Sequence, residues 1–89
     1  MGESIKYYSQ MTSDEKWEYL RNTAELLTVD MKEYGYKFSI SSKPDTLDAF
    51  IPPKPGEQDD YAKAVMGMFV ISWFGSHPGY LPRFNITVK

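Results

Sequence analysis

The chain has 89 residues, 42% apolar and 16% aromatic, enough for one core and one domain, 1–89. It has no cysteine and a single histidine, which excludes disulfides and thiolate metal sites and leaves a zinc site short of ligands. A net charge of −2, with both signs spread along the chain, argues against a surface built to grip a nucleic-acid backbone.

The first eight residues contain no apolar run of the kind a signal peptide needs, and a small domain without cysteine points to a cytoplasmic location. No apolar run reaches the roughly 20 residues of a membrane span. The lead-in, residues 1–11, offers Ile5, Tyr7 and Met11 to the body of the fold.

Thr12 followed three residues later by Glu15 is a capping-box pattern, and Asp14 and Glu15 suit the positive end of a helix. The pattern predicts a helix over 12–34 with Gly35 as its C-terminal stop. Trp17, Leu20, Ala24, Leu27, Met31 and Tyr34 are spaced 3-4-3-4-3, which places them on one packed stripe.

Residues 36–41 alternate apolar and polar and read as a half-buried strand. Residues 42–45 read as a turn, 47–51 as a short second strand, and Pro52-Pro53-Lys54-Pro55-Gly56 as an extended connection. A second helix is expected over 57–74, with Glu57, Asp59 and Asp60 at its positive end. Between Lys63 and Arg83 there is no charged residue, so this stretch has no strongly polar side to offer water. It must be covered by the rest of the chain or by a partner.

Val65, Met66, Phe69, Ile71 and Trp73 are its expected core residues; a buried strand over 68–73 is the alternative, because a continuous apolar run has no diagnostic period. Residues 75–82, with two glycines and two prolines, read as a loop. The closing strand, 83–89, turns Phe84, Ile86 and Val88 to one side. The whole reads as an α+β fold of order α-β-(β)-α-β: two helices packed on one face of a small two- or three-stranded sheet, with helix 57–74 lying against helix 12–34.

No residues assemble into a catalytic set. His77 stands in a loop beside a proline, and its neighbour Ser76 does not form a dyad with it, because adjacent side chains rarely face each other. Glu57, Asp59 and Asp60 lack calcium-loop spacing, and there is no glycine-rich phosphate loop. No catalytic residue, metal or cofactor is therefore expected, and the chain does not read as an enzyme.

Two surfaces remain. Tyr19, Asn22, Leu26 and Val29 lie off the packed stripe of the first helix and are the candidate protein-binding residues. Lys37, Arg83 and Lys89, with Ser39, Ser41, Asn85 and Thr87, form a polar, mildly basic sheet face that could take an anion or nucleic acid. The plainer readings are that the lead-in (Ile5, Tyr7, Tyr8) folds over the first set and that the second is a solvated sheet face. The functional expectation is a non-enzymatic protein-binding module, an inhibitor or adaptor of phage or bacterial accessory type that occludes a partner protein. A small nucleic-acid-binding module is the alternative, and a homodimer is compatible with the sequence.

Overall fold

The structure is a computed structural model and describes residues 7–77 and 79–89. A short 3-10 turn, Tyr8–Gln10, leads into helix α1, Ser13–Asp30. Thr12 caps α1 as expected: its hydroxyl accepts from the Glu15 amide at 3.2 Å, and the Glu15 carboxylate accepts from the Thr12 amide at 2.9 Å. The α-helix stops at Asp30, and its last turn tightens into a 3-10 turn, Lys32–Tyr34. Gly35 then takes the left-handed conformation, φ 78°, that glycine adopts without steric cost.

Strands β1, Lys37–Ile40, and β2, Thr46–Ile51, form an antiparallel hairpin around a turn in which Asp45 has φ 57°. After the proline-rich connection comes helix α2, Asp59–Ser76, and then strand β3, Arg83–Val88, which pairs parallel with β2. The sheet order is β1-β2-β3, so the second strand of the chain is the central one. The expected α+β architecture is what the chain adopts, with three strands and two helices.

The two alternations work together. Register places Phe38 opposite Ala49 and Ile40 opposite Leu47 on one side, and Phe84, Ile86 and Val88 opposite Leu47, Ala49 and Ile51 on the other. These rows face Leu20, Ala24, Leu27 and Met31 of α1 and Ala62, Met66 and Val70 of α2. Leu27, Leu47 and Met66 are completely enclosed, and each is worth about 1.5–3 kcal/mol of burial. Thr28 fastens α1 to the edge strand: its hydroxyl donates to the Ala24 carbonyl at 2.8 Å and accepts from the Phe38 amide at 3.0 Å. That occupies a backbone donor on an otherwise open sheet edge.

Several expectations are corrected. Trp17 and Tyr34, the ends of the expected stripe, are exposed; Tyr34 stands in the 3-10 turn that follows α1, where the 3.6-residue phase no longer holds. Helix α2 begins at Asp59 and runs through Gly75 and Ser76, two residues into the expected loop. Residues 68–73 are helical throughout, which removes the strand alternative. Ile71 is an outward residue rather than a core one, and Val65 is half-buried. The helices do not pack along their lengths. α1 lies mainly over β1 and α2 mainly over β3, and the sheet's own apolar rows fill the space below both. Their side chains meet near one end, where Trp73 Nε1 donates to Asp30 Oδ2 at 2.6 Å and Phe69 stacks on Tyr34 at 4.7 Å.

Candidate protein-contact surface

The four candidate residues of α1 do not share one environment. Tyr19 is half-buried and fully engaged: its hydroxyl accepts from the Tyr80 amide at 2.7 Å and donates to the Tyr80 carbonyl at 3.2 Å. Tyr8 stacks on the Tyr80 ring at 3.9 Å and meets Tyr19 edge-on at 5.7 Å. A Cβ at Gly79 would collide with the Tyr19 hydroxyl, so the loop closes over this ring at glycine. The lead-in thus covers Tyr19 through Tyr8, while Tyr7 points to solvent and Ile5 lies outside the described residues. Asn22 is exposed, and Leu26 and Val29 stand out at 53% and 70% exposure. They form a short apolar strip on the solvent side of α1.

Tyr8 is held by more than stacking. Its hydroxyl donates to Asp45 Oδ1 at 2.6 Å, and burial, together with the charge of that carboxylate, pushes its ionisation well above the ordinary tyrosine range. Tyr36 is shifted the same way by burial and by the negative charge of Glu57. Both remain neutral hydrogen-bonding phenols at any physiological pH.

Helix α2 carries a larger feature that the sequence reading passed over. Its core side is the Ala62, Met66 and Val70 row, flanked by Phe69 and Trp73. At 100° per residue, Tyr61, Ala64, Met68, Ile71 and Gly75 fall together on the opposite side. All five are exposed, with Tyr61 at 63%, Met68 at 71% and Ile71 at 65%. Their spacing is 3-4-3-4, the same signal that marked the α1 stripe. It was hidden because the inward residues are apolar too, so the helix shows no polar face against which a stripe would stand out.

The outer face of the sheet presents Lys37, Arg83 and Lys89 to solvent, as expected. Asp48 of the central strand lies between them, accepting from Asn85 Nδ2 at 3.2 Å, and Phe50, paired with Lys37 and Thr87, adds a half-buried aromatic ring. Ser41 does not belong to this face; it is buried at the corner, where its hydroxyl accepts from the Lys43 amide at 3.1 Å.

His77 follows the last turn of α2. Its ring stacks on Trp73 at 4.0 Å, its Nδ1 lies 2.9 Å from the Trp73 carbonyl, and its Nε2 stands 3.9 Å from the Asp30 carboxylate. The ring closes the end of α2 against Trp73, whose own Nε1 makes the hydrogen bond to Asp30 at the end of α1. Among the described residues, no three potential metal-ligating side chains come together, and no helix is long and apolar enough to cross a membrane. No family model matches the chain, and no curated protein or solved structure is significantly similar to it.

Proposed function

We propose that the chain is a non-enzymatic protein-binding module that acts by covering part of another protein, as an inhibitor or adaptor does. The observation that carries this reading is the solvent side of α2: five residues over four turns, three of them large and apolar, with no charge among them. Isolated exposed hydrophobics are ordinary, but a continuous row along a helix marks a contact site. Leu26 and Val29 of α1 add a second, smaller strip on the same helical layer. The histidine, the residue most suited to catalysis near neutral pH, is occupied by a backbone carbonyl and a ring stack.

Retention of host proteins on the native chain tests the reading when compared with a Met68→Lys, Ile71→Lys variant. The native chain should hold a defined partner and the variant should release it; equal retention by both would remove α2 from the contact. A nucleic-acid reading of the sheet face has less support, because Asp48 sits in the middle of the would-be phosphate surface and the chain as a whole is acidic. Strong binding to generic DNA or RNA that falls steeply with salt would reverse that order.

A further inference from the structure

We propose that the cavity between the end of β2 and the start of α2 binds a small primary amine, with its ammonium group on Glu57 and Tyr36. The cavity holds about 230 Å³ and has Ile51, Ala62 and Val65 among its apolar walls. It does not depend on the free side of α2, because Ala62 and Val65 are buried or half-buried.

Local sequence places the charged groups. Pro55 and Gly56 occupy the middle of a turn closed by the Glu57 amide, which donates to the Lys54 carbonyl at 3.1 Å. Gly56 takes φ 79°, a value that favours glycine at the third position of a turn. The turn carries Lys54 and Glu57 at its two ends, and both border the cavity. No ion pair joins them, and among the described residues the half-buried Glu57 carboxylate has no side-chain partner.

Tyr36 supplies the second polar group. It is only 7% exposed, yet its hydroxyl makes no hydrogen bond to any described residue. No fully enclosed side-chain oxygen among the described residues lacks a partner, so this hydroxyl opens onto free space. The cavity is the space that Tyr36 borders. Burial first, and then the charge of Glu57, keep the phenol neutral, which marks the two groups as neighbours.

Two oxygen acceptors without donors, one of them ionised, thus stand beside an apolar wall. A half-buried carboxylate is best satisfied by a cation that also gives it hydrogen bonds. An ammonium group has three N–H donors, enough for the carboxylate and the phenol oxygen together. A neutral alcohol brings one donor and no charge, and an anion would meet the charge of Glu57. The apolar wall suits a short alkyl body. Lys54 is exposed and hydrated, so it acts as a competing cation at the rim.

The probe is isopentylammonium chloride, titrated into the isotopically labelled native chain at about 0.15 M salt and followed by amide chemical shifts. Saturable shifts should centre on Tyr36, Glu57, Ala62 and Val65. A dissociation constant on the order of 1 mM is what about six non-hydrogen atoms supply. Glu57→Gln keeps the shape and should weaken binding about tenfold or more, and Tyr36→Phe about threefold or more. Lys54→Gln should bind as well as the native chain or better. Isopentanol, the same shape without the charge, should not saturate. The amide spectrum of each variant shows independently that it is folded. No saturable shift up to about 50 mM, well past the expected constant, overturns the proposal. So does equal binding by Glu57→Gln, equal binding of isopentanol, or weaker binding by Lys54→Gln.

Discussion

Tyr8 shows how much of this fold depends on single polar atoms that a pattern cannot locate. Its hydroxyl satisfies Asp45, the one described non-glycine residue at positive φ, and its ring covers Tyr80. Tyr8→Phe keeps the ring and loses the hydrogen bond, so chemical denaturation should show a loss of about 1 kcal/mol. Asp45→Asn keeps both an acceptor and a residue tolerant of the left-handed region and should be nearly neutral, whereas Asp45→Ala should cost about 2 kcal/mol.

The pH dependence has a definite sign. A phenol whose ionisation is raised in the folded state keeps its proton while the unfolded chain loses one. The contribution is complete below about pH 10, the unfolded tyrosine value, and is lost as pH rises from there toward the folded value. Native stability should therefore fall above that pH, and Tyr8→Phe should fall less steeply. Tyr19 carries the same lesson. Periodicity placed it beside Leu26 and Val29, but its partner is a backbone sixty-one residues away, which no local signal reports. A Tyr19→Ala, Leu26→Ser double variant should consequently melt low, and Leu26→Ser alone should stay within about 0.5 kcal/mol of native.

At the scale of elements, the first helix and the strands were the legible parts, because each has one wet side and one dry side. The Thr12–Glu15 cap and the alternations 36–41 and 84–88 match the structure, the first strand being one residue shorter at each end, Lys37–Ile40. The central strand shows in the sequence only as the short apolar piece 47–51, where the structure has Thr46–Ile51. Its parallel partnership with β3 was not readable, since alternation shows which residues share a face and not which strands are neighbours. Leu27→Ala, which empties the centre of α1, should cost on the order of 2–5 kcal/mol in a denaturant melt, against the near-neutral Leu26→Ser one residue away.

Two glycines separate the roles of backbone and side chain. Gly35→Ala must hold φ 78° and would bring a Cβ to 3.0 Å from Pro52 Cγ, so a loss of about 1–2 kcal/mol is expected. Gly67 lies within α2 with open space around the position of a Cβ, and Gly67→Ala should stabilise the helix by about 1 kcal/mol.

For the molecule as a whole, the sequence calls for the apolar stretch to be covered by the rest of the chain or by a partner; the fold covers one side of it, with Met66 enclosed and Phe69 and Trp73 packed against the core, and leaves Ile71 outside. One sheet face offers a helix one side only. Met66 takes the inward position, and Met68, two residues on, is left outside. An apolar run long enough for both sides is what a helix needs when it packs on a sheet within its own chain and on something else beyond it.

Denaturant unfolding of Met68→Lys, Ile71→Lys tests that division of α2 into a covered and a free side most directly. Both lysines enter solvent on this account, so the variant should unfold cooperatively within about 1 kcal/mol of native, while Met66→Lys should fail to fold. A loss of several kcal/mol in the double variant would show that Met68 and Ile71 belong to the core and that α2 has no free face.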